Sequence, residues 1–280
     1  MKLTLASFVV LFLSFLLMLW RVPVERRRCV CDDDMNYFES YNDTYPLSAP
    51  FSSKDGIWYK IGAVSDLDTN SKSKSGKHLW RSYMLHGKLF VSNDHKEVKI
   101  VWDKNVIQLN GGYAHGGRAM ELSDLKTFNG RLYSIDDRTG ILYRIENDSV
   151  VLPWVVLPDG DGKQAKGFKG EWLAVKDNHI YVGGLGKEWT TTTGEYMNDD
   201  PMWVKIISHY GFVRHVNWKR QYIKLRKAFG ITYPGYMIHE SAQWSNVHKR
   251  WFFLPRRASH KIYTEKTDER SGMISPVILI

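Results

Sequence analysis

From about Gly56 onward the chain alternates short apolar runs with turn residues, the pattern of β-strands that are half-buried. Ile57–Val64, Gly87–Asp94, Val98–Trp102 and Asn129–Asp137 read as strands; the last turns through Arg138-Thr139-Gly140 into Ile141–Ile145. Asn178–Gly184, Arg250–Leu254 and Lys261–Tyr263 follow. Leu89, Leu132 and Ile180 hold matching places, 43 and 48 residues apart, and Trp251 repeats the theme 71 residues later, after an insertion. Several short strands per unit of about 40–50 residues mark a β-propeller; a β-sandwich with regular hairpins is the alternative. Within the insertion, Trp218, Tyr222, Ile223, Leu225 and Phe229 have helical spacing, which predicts one amphipathic helix over Asn217–Phe229 that ends at Gly230.

The N-terminal pattern is different. Leu3–Trp20 is an apolar run of 18 residues broken only by Thr4, Ser7 and Ser14. That is near the lower limit for a membrane span and long for the core of a signal peptide, and no A-x-A pattern follows. Residues 1–20 therefore read as an uncleaved signal anchor, with a cleaved signal as the alternative. Arg21 and Arg26–Arg28 after the run would by themselves favour a cytosolic domain. Residues 21–55 read as a stem and lead-in, 56–272 as the propeller and 273–280 as a separate tail. Asn42-Asp43-Thr44 and Asn147-Asp148-Ser149 are glycosylation triplets.

Composition adds less. The net charge of +9 suits anionic partners, nucleotides or a membrane surface, as well as a plain solvated exterior. No nucleic-acid-binding signature is present. Cys29 and Cys31, the 2 cysteines, stand too close for an unstrained bridge and lie outside the propeller segment, so disulfides do not hold its core and it has no Cys-based zinc site.

Gly183-Gly184-Leu185-Gly186-Lys187 lacks phosphate-loop spacing, and neither a nucleophile elbow nor an H-E-x-x-H motif occurs. Carboxylates at strand ends carry more. Asp66-Leu67-Asp68 places two acids on one side of an extended chain, and Asp136-Asp137 closes another strand. Glu121, Asp124, Glu171 and Glu240 precede or begin others. Converging on one channel, such oxygens would suit Ca²⁺, and Arg118, Arg256 and Arg257 would suit phosphates.

Gly117–Leu125, Leu132–Gly140, Asp159-Gly160-Asp161-Gly162, Lys166–Asp177, Gly183–Thr192, Pro234–Ser241 and Trp251–Ser259 together resemble the calcium-activated nucleotidase (apyrase) family from about Asn42 to Gly272. Ala119 stands where the family usually has Gly. The resemblance implies an all-β, five-bladed propeller with Ca²⁺ on its axis, held by Ser123, Asp124, Glu171 and Glu240. It implies catalytic or nucleotide-contacting roles for Asp66, Asp68, Asp136 and Arg256, beside Arg118, which the residues themselves suggest for phosphate. The expected activity is hydrolysis of nucleoside di- and triphosphates (UDP, GDP, ADP, ATP) by a membrane-anchored or secreted protein of the Golgi, ER or cell surface, with a homodimer compatible. After Gly272 the family's pattern is not followed, so the last blade is expected to be incomplete. The alternative expectation is a truncated form that binds nucleotide or a partner without turnover.

Overall fold

The computed structural model describes residues 39–271 and the backbone of Ile278–Leu279. The expected N-terminal anchor and the Cys29/Cys31 pair lie outside those residues. Among the described residues no helix is long and apolar enough to cross a membrane.

Strands dominate, as the alternating pattern predicts. β1 (Phe51–Ser52), β2 (Gly56–Val64), β3 (Trp80–Ser92) and β4 (Val98–Gly111) form a first antiparallel sheet in chain order. β5 (Leu122–Phe128), β6 (Arg131–Asp136), β7 (Ile141–Glu146) and β8 (Val150–Val156) form a second. β9 (Trp172–Lys176) and β10 (His179–Gly183) begin a third sheet. A small hairpin interrupts it, β11 (Trp189–Thr190) with β12 (Tyr196–Asn198), before β13 (Trp203–Ser208) and β14 (Val213–Asn217) complete it. β15 (Tyr236–Ser245), β16 (Arg250–Ser259) and β17 (Ile278–Leu279) form the fourth.

The residues that repeat in the sequence occupy equivalent strands. Leu89, Leu132, Ile180 and Trp251 lie on β3, β6, β10 and β16, each hydrogen-bonded to the strand before it. Those preceding strands contact one another in sequence, β2 with β5, β5 with β9, and β9 with β15. Each apolar core is shared by consecutive sheets. Trp80, Met84 and Leu109 of the first meet Leu122, Ile141 and Tyr143 of the second. Tyr133, Ile135 and Leu142 meet Leu173, Ile180 and Val182 of the third. Trp172, Val204 and Ile206 meet Met237, Ala242 and Phe253 of the fourth. Sheets packed face to face around their first strands make a propeller-like all-β fold.

The predicted helix is present as α1 (Lys219–Lys227), which buries Tyr222, Leu225 and Arg226. It closes at Gly230, whose φ of +69° lies in the left-handed region that only glycine enters freely. One strand expectation is corrected: Lys261–Tyr263 forms no ladder. Tyr263 instead packs its ring edge-on against Tyr236, 5.4 Å away.

Candidate active site

The end of β2 and the starts of β5, β9 and β15 meet around a cavity of about 580 Å³. Its wall carries Asp66, Asp68, Ser123, Asp137, Glu171 and Glu240. Two of them are aimed by β-bulges. Leu122 pairs with Asp136 and Asp124 with Ile135, so Ser123 is the extra residue of β5. His239 pairs with Pro255 and Ser241 with Leu254, so Glu240 is the extra residue of β15. A bulge leaves one residue outside the ladder and turns its side chain, which here puts an oxygen donor from two different sheets on one cavity.

Of the nine expected site residues, Asp124, Asp136 and Arg118 do not lie on the cavity wall, and Asp66 and Asp68 reach it by another geometry than expected. Asp66 and Asp68 do reach the cavity, but not from an extended chain. Asp68 has φ +47° and opens a short 3₁₀ turn, and its N–H donates to Asp66 Oδ1 at 2.7 Å. Asp136 is fully buried and away from the cavity wall. Its carboxylate accepts from the N–H groups of Met120 (2.8 Å), Arg138 (2.9 Å) and Thr139 (3.3 Å), so it organises the turn. Its neighbour Asp137 takes the cavity position. Asp124 likewise holds backbone, accepting from Leu125 N and from Leu173 N of β9, both at 2.7 Å. It ties the second sheet to the third and is not a wall residue. Arg118 grips Glu121 through two nitrogens and reaches Asp68 Oδ1 at 3.2 Å, while Arg256 grips Glu240.

The site is crowded with negative charge. Oxygens of Asp66, Glu121 and Asp137 all lie within 4.8 Å of one another. Asp66 opens to the cavity, yet the surrounding protein desolvates it and Asp137, Asp68 and Glu121 repel its charge, so its pKa is pushed up to about 6. Burial also raises Glu121 and Glu171, against the pull of Arg118 and Lys169. Lys169 bridges Asp137 and Glu171, 2.9 Å from the latter, and the two carboxylates hold it firmly protonated. Two buried oxygens, Ser123 Oγ and Asp137 Oδ1, have no hydrogen-bond partner among the described residues. Unpaired buried oxygens are costly, and a cation is what would satisfy them. The donor set is all oxygen, with neither His nor Cys on the wall, which fits a hard ion of six to eight ligands such as Ca²⁺.

Lys169 and Lys187 were not anticipated as site residues, and Glu121 and Asp137 were named only among the strand-end acids, without a site role. Lys187 lines the cavity although it is buried. Its Nζ donates to Glu188 O at 3.0 Å, lies 4.1 Å from the centre of the Tyr263 ring, and is pushed down to about 8 by burial. For Lys169, Lys187 and Asp137 the sequence signal was adjacency to a glycine or to a residue already singled out.

Residues 67–280 match the family model described as Apyrase. Over 253 residues the chain is 54% identical to soluble calcium-activated nucleotidase 1 of Rattus norvegicus, covering 90% of this chain and 60% of the relative. It is 57% identical to apyrase apy-1 of Caenorhabditis elegans over 215 residues, 76% of this chain and 59% of that one. It is 47% identical to the apyrase of Cimex lectularius over 232 residues, 82% and 64% respectively. The chain thus spans about 60% of the length of the curated relatives it matches.

Proposed function

The chain belongs to the apyrase family, and from that premise we propose that it hydrolyses the terminal phosphoanhydride bond of nucleoside di- and triphosphates with Ca²⁺. The observation that carries the reading is the meeting of Ser123, Asp137, Glu171 and Glu240, from three sheets, at one cavity with two buried oxygens left unpaired. Ser123, Asp137, Glu171 and Glu240 would hold the ion, which when bound supplies positive charge to phosphate oxygens. Asp124, placed in the expected ligand set, is left out because both its oxygens are held by backbone N–H groups.

Asp66 takes a proton from the attacking water. A carboxylate with a pKa near 6 is a competent base near neutral pH, and Asp66 borders the cavity. Asp68 fixes it through its own N–H. As the water oxygen bonds to the terminal phosphorus, the bridging P–O bond breaks and the shorter nucleotide leaves with the bridging oxygen. Arg256, Arg257 and Lys169 border the same space and stabilise the charge spread over the phosphate oxygens, while Lys187, also on the wall, binds the substrate before and during the reaction alike. Arg118 positions Glu121 and Asp68 and stands one layer back. The enclosing architecture is a five-bladed propeller, and the apolar run Leu3–Trp20 supports entry to the secretory pathway, either anchored in its membranes or secreted.

Purified protein is expected to release phosphate from UDP, GDP or ADP when Ca²⁺ is present and to stop when it is chelated. Absence of turnover with saturating Ca²⁺ and all of these substrates would overturn the reading.

A further inference from the structure

The cavity wall between Leu185 and Thr192 is a loop followed by the short hairpin strand β11, yet it contributes Leu185, Lys187, Trp189 and three threonines. Loops that line a site need tethers, because the scaffold does not order them by itself. This one has backbone tethers at its start: Leu185 O accepts from His239 N at 3.0 Å, and Gly186 N donates to Pro201 O at 3.1 Å. Gly186 also lies so close to α1 that a Cβ there would meet the Tyr222 ring at 2.5 Å. Beyond that point the wall pairs with β12, Trp189 lies under Lys166 Nζ at 4.3 Å, and Thr192 O accepts from Glu265 N at 3.4 Å, but the buried ion pair behind Glu188 is what ties the wall to α1. Arg226 Nη1 and Nη2 donate to the two carboxylate oxygens of Glu188, each at 2.7 Å, in a pair only 4% and 9% exposed. Arg226 sits on the buried face of α1 beside Leu225, inside the core shared with the fourth sheet.

We propose that Arg226 is a positioning residue that acts through Glu188, holding Lys187 and Trp189 at the substrate wall. A bidentate guanidinium–carboxylate pair fixes both distance and plane, which a single lysine contact does not. Glu188 stands between the two wall residues, and its own carbonyl receives Lys187 Nζ. Turning Glu188 therefore moves the ammonium as well as the Trp189 ring. The clamp lies behind the wall and touches no substrate, so its loss loosens the grip on substrate and leaves the carboxylates of the opposite wall in place. This role rests on the hydrolase reading, but the mechanical part of it does not.

The test is hydrogen exchange and steady-state kinetics on the full chain carrying Arg226→Met, Arg226→Lys or Glu188→Gln. Exchange of amides 186–192 should quicken by about tenfold in Arg226→Met while those of β5–β8 keep the wild-type rate. With UDP and Ca²⁺, KM should rise by about tenfold while kcat changes less than about twofold, and Arg226→Lys should recover only part of the loss. Should Arg226→Met fail to fold, Glu188→Gln, which keeps the side-chain shape and removes the charge, is to show the same pattern. Unchanged exchange at 186–192, or a fall in kcat with KM unmoved, overturns the proposal. If the wild type does not cleave UDP, that failure falls on the hydrolase reading, and the exchange pattern alone decides the role of Arg226.

Discussion

Two clusters of acidic residues lie at loop and strand ends of this molecule, and they differ in how completely their oxygens are partnered. In the cavity, Asp66, Glu121 and Asp137 crowd together with Glu171 and Glu240 on the same wall. Burial raises Asp66, Glu121 and Glu171 there, and two oxygens stay unpaired. In the Asp159–Gly162 loop, Asp159, Asp161 and Asp200 surround Lys205, which is completely buried. Lys205 Nζ donates to Gly160 O, lies 3.1 Å from His215 Nδ1 and sits 4.6 Å from the centre of the Phe168 ring. Asp159 is in turn paired with Lys166 at 3.0 Å. Burial drives Lys205 down to about 8, but the neighbouring carboxylates oppose that loss of charge. The second cluster carries its own cation at its centre and acts as a lock between loop and sheet. The first also holds cations, Lys169, Arg118 and Arg256, yet keeps two oxygens unpaired beside open space. A surplus of acid in a cavity with unpaired oxygens distinguishes a site from a structural knot better than the number of acids does.

The contrast can be broken most sharply at the cavity. Glu240→Gln should lower Ca²⁺-dependent turnover by about 100-fold or more, measured as phosphate release across a Ca²⁺ titration, whereas Asp159→Asn should leave the Ca²⁺ response intact. Next, Lys205→Met removes the buried ammonium that donates to Gly160 O and packs on Phe168, leaving that carbonyl unpaired. It should cost about 1–3 kcal/mol of stability in a denaturant titration, with the Ca²⁺ dependence of activity in the remaining folded protein unaltered. Asp136→Asn exchanges one acceptor oxygen for a donor facing backbone N–H groups. A loss of about 1–2 kcal/mol is expected, and KM should stay at the wild-type value; a collapse of kcat at full stability would return Asp136 to the catalytic set.

The smallest effect concerns pH. Burial and the neighbouring acids push the folded pKa of Asp66 up to about 6 from its ordinary 3.8, so between these values the native state binds the extra proton. Its stabilising contribution is complete below about pH 4 and is lost as pH climbs through about 6. In chelator, the melting midpoint of the wild type should drift downward over that window relative to Asp66→Asn, which has no such proton to lose. Parallel curves would mean that Asp66 is not held in the acidic surroundings described.

Much of this was legible in the chain. The spacing of Leu89, Leu132, Ile180 and Trp251 located equivalent strands of successive sheets, because a repeated sheet must bury the same face each time. The spacing of Tyr222 and Leu225 located α1 for the same reason. Strand-end acids pointed to the right end of the molecule, since loops there converge. What stayed illegible depends on contacts between distant segments. The bulges that expose Ser123 and Glu240 are mismatches of register with β6 and β16, and no single strand reveals them. Asp136 and Asp137 are identical neighbours, and only the turn geometry decides which one faces the cavity. Lys169 and Lys205 read as solvated charges until the fold brings carboxylates to them.

The central claim is that oxygens from separate sheets converge on one Ca²⁺ ion at the cavity. Isothermal titration of the full chain with Ca²⁺ tests it most directly, run on the wild type, Glu240→Gln and Asp159→Asn. The account predicts a single saturable binding event in the wild type, kept in Asp159→Asn and abolished or strongly weakened in Glu240→Gln. Equal binding in all three proteins, or none in the wild type, would contradict it.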